Sequence, residues 1–295
     1  MSWPTLSNPP REGWPFLIYF DFMSPTGLAQ LWQGFPSDFT AGVSEERPKI
    51  GLDGDAWYYL QTVFHGCLSK GIAVVCLSQA APDTLRYMPS SSEAKAVGYD
   101  FICDDSDHMC WTRENVDKTY MNEVITFLKR GLTAAGGPNV SFDISRMSCM
   151  GYSVGAQMAS RLLESYVDIL PEGALIKSVV LVAGGSLFCY SYEDPDRLPP
   201  VFSPCAFAED VNRGCCPNDI TEPRYLRSGA GKPPVLLLQA KDDHYADTAA
   251  AAKYIRAVQK VGGSSACWVS YQGSLHGAYP AQAGVTVAFI INTLN

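Results

Sequence analysis

Six stretches of the chain are continuously apolar, too short for helices of ordinary length, and bounded by turn residues. They are Phe16–Phe20, Ile72–Leu77, Met147–Met150, Ser178–Ala183, Val235–Gln239 and Cys267–Tyr271. Runs of this kind predict strands buried on both faces, as in a parallel sheet. Between them the period changes to that of a helix. Leu60, Val63, Phe64, Cys67 and Leu68 share one face of a predicted helix over Ala56–Ser69, which Gly71 closes as a left-handed cap. Val116, Tyr120, Val124, Phe127 and Leu128 mark a second amphipathic helix. Met158, Leu162 and Tyr166 mark a third, Ala249, Tyr254 and Ile255 a fourth, and Gln282–Leu294 a closing one. Strands alternating with helices predict a single α/β domain over residues 1–295, with a mostly parallel sheet of about six strands and helices on both faces.

Two segments break this rhythm. Residues 79–113 form a polar loop insertion, and residues 185–233 form a Cys- and Pro-rich insertion expected over the active site. Within the first, Asp104-Asp-Ser-Asp-His-Met-Cys110 has carboxylates enough for a calcium ion, but its spacing fits no EF-hand. It is read as a solvated acidic loop, with His108 on the surface, and no metal or other cofactor is expected.

Of the 295 residues, 47% are hydrophobic and 18% charged, which suits a soluble globular protein with a sizeable core. The net charge is -8, with a pI near 5.0. No basic face is left for phosphates, so nucleic acid is excluded as a partner, and no apolar run is long enough to span a membrane. Met1–Pro10 does not read as a signal peptide. The compartment leans to secreted, with a leader removed beforehand, and the cytoplasm is the alternative. The ten cysteines support the lean. Cys76, Cys149 and Cys267 fall in predicted core strands. Cys103, Cys110, Cys189, Cys205, Cys215 and Cys216 fall in loops where disulfides are plausible, Cys103–Cys110 first. No C-x-x-C pair is present.

The chemistry gathers at strand ends. Gly151-Tyr152-Ser153-Val154-Gly155 joins the Met147–Met150 strand to the third helix and fits G-x-S-x-G, the nucleophile elbow. A side chain at 151 or 155 would collide with the backbone crossing so tight a bend. The helix start places partial positive charge beside Ser153, where it favours a developing oxyanion. Ala240-Lys-Asp-Asp-His-Tyr-Ala246 follows the fifth strand, and Gly273-Ser-Leu-His-Gly277 follows the sixth. Open α/β sheets place their sites at such carboxyl ends.

Taken together, these residues resemble the α/β-hydrolases, over most of the chain. Within that fold they resemble esterases of the polyhydroxybutyrate-depolymerase and feruloyl-esterase type. Asp143-Ile-Ser-Arg146 is similar to their D-x-x-R lead-in, Gly151–Ala159 to their G-x-S-x-G-G-x-M-A, and Ser274–Pro280 to their G-x-H-x-W-P close. Ala156 stands where they have glycine, Tyr279 where they have tryptophan, and Asp21-Phe22 where many have His-Gly. Tyr58–Gln79 also resembles chlorophyllases and dienelactone hydrolases.

The resemblance implies a nucleophile–acid–histidine order. Ser153 is then the nucleophile and His276 the base and acid; His65 falls on a helix and His244 sits too close to the acid loop. Strand, small residue, two residues and Asp place the orienting acid at Asp243, with Asp242 the runner-up and Asp247 at a helix start. The oxyanion donors are the backbone N–H groups of Val154 and Met23, with Phe22 the alternative to Met23. Trp57, Tyr58, Trp111 and Tyr152 are candidates for the substrate pocket, Tyr59 lies beside them, and all are equally candidates for the core. The chain would lack the first two strands of a full hydrolase sheet, as cutinase-like members do.

The implied activity is cofactor-free hydrolysis of a small or polymeric carboxylic ester through an acyl-enzyme. Peptidase or thioesterase chemistry on the same residues, and a non-catalytic binding protein of this fold, are the alternatives. Oligomeric state is not legible from the sequence.

Overall fold

The computed structural model describes residues 10–20, 54–77, 124–130, 132–133, 139–152, 155–156, 159, 170–183, 233–241, 243, 255, 258–259, 266–271 and 280–295. Both predicted insertions lie outside these residues, except for position 233 at the end of the second, as do the loop cysteines. The strands are β1 (Trp14–Phe20), β2 (Ala73–Leu77), β3 (Leu132–Thr133), β4 (Asn139–Val140), β5 (Phe142–Tyr152), β6 (Ile176–Val182), β7 (Val235–Ala240) and β8 (Ala266–Tyr271). The helices are α1 (Gly54–Ser69), α2 (residues 124–130) and α3 (Pro280–Leu294).

Six strands form one sheet in the order β2-β1-β5-β6-β7-β8, while β3 and β4 pair separately and antiparallel. Each neighbouring pair in the large sheet is parallel. Every carboxyl end therefore emerges at one edge, with β5 near the middle.

Strand alternation sorts the core into two layers. Phe16, Ile18, Met147, Cys149, Val179, Leu181, Val235 and Leu237 face a layer that includes Ile125 and Leu128 of α2, Ala156 and Ala159 of the elbow helix, Ile255 and Val258. Leu17, Tyr19, Met150, Tyr152, Val180, Val182, Leu236 and Leu238 face α1 and α3. Because both faces are covered, the strands carry apolar residues at successive positions.

α1 buries Leu60, Val63, Phe64 and Cys67 as its spacing predicts, and its capping Gly71 adopts φ 77°. It packs closely on α3. A Cβ at Gly66 would come within 2.7 Å of the Val287 side chain, and Tyr59 Oη shares a 2.7 Å hydrogen bond with Thr286 Oγ1. A second polar contact pins α3 to the sheet: Thr293 donates to Ser178 Oγ at 2.8 Å, which shares a 2.7 Å bond with Ser148 Oγ.

Two local features depart from the sequence pattern. Phe127, expected on the apolar face of α2, is 49% exposed, and Ile125 takes the buried position instead. β5 is also longer than the Met147–Met150 run. Its first half bulges against β1, where the register passes from Trp14↔Phe142 to Phe16↔Met147. The polar residues of that bulge satisfy one another. Asp143 accepts from the Ser145 amide (3.0 Å), the Ser145 hydroxyl (2.6 Å) and Arg146 Nε (2.6 Å). Among the described residues, no helix is long and apolar enough to cross a membrane.

Candidate active site

The predicted elbow is bracketed by described residues. β5 ends at Tyr152, and by Gly155 and Ala156 the chain is helical. Two positions, 153 and 154, stand between that strand and that helix. Gly151 sits beneath it. A Cβ there would collide with the carbonyl of Gly155 and lie 2.5 Å from the amide nitrogen of Ala156. No side chain fits at that distance, so the glycine is required by close backbone approach. Ser153 and Val154 themselves lie outside the described residues.

The acid loop is placed in part. After β7, the Asp243 amide donates to the Ala240 carbonyl at 3.4 Å, closing a turn that leaves Asp243 half-buried at the carboxyl edge. Gln239 Nε2 donates to Asp243 Oδ2 at 2.8 Å and also reaches the Ala240 carbonyl at 3.4 Å. The Gln239 side chain is buried, at 1% exposure. Nothing in the sequence pattern assigns Gln239 a role; its one signal is an amide next to the last position of an otherwise apolar strand. Asp242, His244, Asp247 and His276 lie outside the described residues.

The remaining candidates divide in the same way. Phe22, Met23 and Trp111 lie outside the described residues, and Trp57 is placed only as a backbone position in α1. Tyr58 is half-buried on α1. Tyr59 is fully buried, and Tyr152 is 2% exposed within the core layer under α1 and α3.

Register relates the strand ends to one another. Phe20 of β1 pairs with Gly151, and Tyr152, Val182 and Leu238 form one row that continues to Val269. The chain leaves β1 directly beside the elbow and leaves β7 two strands away from it.

A parallel six-stranded sheet, helices on both faces and a strand–turn–helix at the carboxyl end of a central strand define the α/β-hydrolase fold, and this chain has it. Its shape is similar to that of a thermophilic esterase from Thermogutta terrifontis solved with propionate (TM-score 0.53, 13% identity, 99% of this chain and 87% of that one). It is similar also to a fluorophosphonate-binding serine hydrolase of Staphylococcus aureus (0.51, 13%, 99% and 88%). An acylaminoacyl peptidase of Pyrococcus horikoshii matches too (0.53, 13%), across 99% of this chain and 40% of that one. No protein-family model matches the sequence, and no curated protein matches it.

Proposed function

We propose that this protein is a serine hydrolase that cleaves carboxylic esters through an acyl-enzyme, with Ser153 as nucleophile, His276 as general base and acid, and Asp243 as the orienting carboxylate. The reading rests above all on Gly151: a glycine with no room for a Cβ, under a two-residue passage from central strand to helix, fits a turn that thrusts its next-but-one residue out of the sheet edge.

The strand order supports convergence. Adjacent strands stand ~4.8 Å apart, so the three intervals from β5 to β8 span roughly 14 Å. Five residue steps lead from Tyr271 to His276, and an extended chain of that length covers up to about 17 Å. The imidazole of His276 is therefore within reach of Ser153. Asp243 leaves β7, between them, at the same edge.

In this mechanism His276 takes the Ser153 proton as the hydroxyl attacks the ester carbonyl. The tetrahedral oxyanion is held by the Val154 N–H at the helix start and by a second N–H from the chain after β1, at Met23 or Phe22. The pairing of Phe20 with Gly151 favours that donor, because it brings the loop out alongside the elbow. His276 then protonates the departing alcohol, and water releases the acid by the reverse path. Asp243 fixes the imidazole tautomer and stabilises the imidazolium. Tyr58 and Trp57, on α1, and Trp111 remain candidates for the acyl or alcohol pocket, whereas the burial of Tyr152 favours a core role for its ring.

A p-nitrophenyl ester, a peptide anilide and an acyl-thioester offered in parallel test the ester assignment. Turnover of the ester is expected to dominate; preferential cleavage of the anilide or thioester would replace the esterase reading with one of the alternatives.

A further inference from the structure

The geometry points to Gln239 as a positioning residue for the acid, an inference that rests on the esterase reading above. Its carboxamide donates to Asp243 Oδ2 at 2.8 Å from a site that is itself almost wholly buried. The same nitrogen lies 3.4 Å from the Ala240 carbonyl, the acceptor for the Asp243 amide. One side chain therefore ties the carboxylate to the turn that carries it. A carboxylate on a short loop otherwise rotates about its Cβ–Cγ bond, and only some rotations receive an imidazole N–H.

The donor's chemistry suits the role. A neutral amide orients the carboxylate without cancelling the negative charge that the proposed mechanism uses to stabilise the imidazolium. An arginine or lysine at this place would orient it as well but would neutralise that charge. Strand alternation would place position 239 with Val235 and Leu237, both of which are apolar core residues, so the buried carboxamide stands out on that face.

Two variants test this against a merely structural role. In Gln239→Leu the donor is lost; kcat is expected to fall about tenfold to a hundredfold, the worth of a hydrogen bond to a charged group, with KM unchanged. Gln239→Glu keeps the shape but adds a second carboxyl. Two carboxyls this close and this buried hold one proton between them, so the donor survives until the pair ionises, and kcat/KM should gain a basic limb that the wild type lacks. Wild-type kcat in Gln239→Leu, or a wild-type pH profile in Gln239→Glu, would overturn the inference; should Gln239→Leu fail to fold, the isosteric Glu variant decides alone. Fluorophosphonate labelling of Ser153 in the otherwise wild-type protein separates the two levels. A labelled Ser153 with indifferent Gln239 variants sinks only the positioning role, whereas an unlabelled Ser153 sinks the esterase reading itself.

Discussion

Single residues decide whether the sheet edge can carry a reactive turn. At Gly151 an added methyl would meet the Gly155 carbonyl, and backbone cannot step aside as a flexible side chain would. Gly151→Ala should therefore cost about 3 kcal/mol or more, lowering the melting temperature by roughly 6 °C or more. An unchanged melting temperature would mean that the strand-to-helix passage is looser than described. Asp143, below it on the same strand, makes a pH prediction. Burial alone would push its carboxyl up, but hydrogen bonds from Ser145 and Arg146 and the nearby guanidinium outweigh this and hold it below the usual carboxylate range. A lowered folded pKa contributes stability above about pH 4, where an unfolded carboxylate is ionised, and that stability disappears as pH falls through the folded value. Arg146→Met should thus flatten the acid limb of melting temperature against pH. An identical acid limb in the variant would contradict this assignment.

At the scale of elements, α1 and α3 form one layer fastened by a buried hydroxyl pair. Tyr59→Phe and Thr286→Val should each cost about 0.5–1.5 kcal/mol by removing the shared bond, and the double variant less than the sum. Strict additivity in urea denaturation would show that the pair is not coupled. Most elements were legible in the sequence because burial on both faces writes strands as apolar runs, and one-sided burial writes α1 as a stripe. Gly151 was legible for a related reason: the close approach of the Gly155 carbonyl leaves no room for a side chain there. What escaped has physical causes. The first half of β5 is polar because Asp143, Ser145 and Arg146 satisfy each other, so no apolar run announces it. Ile125 displaces Phe127 from the core because the face of α2 is set by its packing partners, which spacing alone does not name. Gln239 escaped because a polar side chain at a strand end reads as a terminus, and only coordinates show what it holds.

Among the described residues, two apolar layers cover the six-stranded sheet, whose carboxyl ends all lie on one edge. Each layer contains a buried thiol: Cys149 on the elbow-helix face and Cys67 on the α1–α3 face. Burial pushes the Cys67 thiol up to about 12 and raises that of Cys149 as well, so neither is a thiolate near neutral pH. Both should resist iodoacetamide in the folded protein and become modified together as the chain unfolds. Modification of one well before the other would show that the two layers open separately. In the proposed mechanism, this shared edge is what would let residues from β5, β7 and the chain after β8 work together. The most direct measurement is reaction with a fluorophosphonate probe followed by peptide mapping. The predicted result is one adduct on Ser153, lost in Ser153→Ala together with ester turnover, which should fall roughly ten-thousandfold or more. An adduct on a different serine, or ester hydrolysis undiminished in Ser153→Ala, would contradict it.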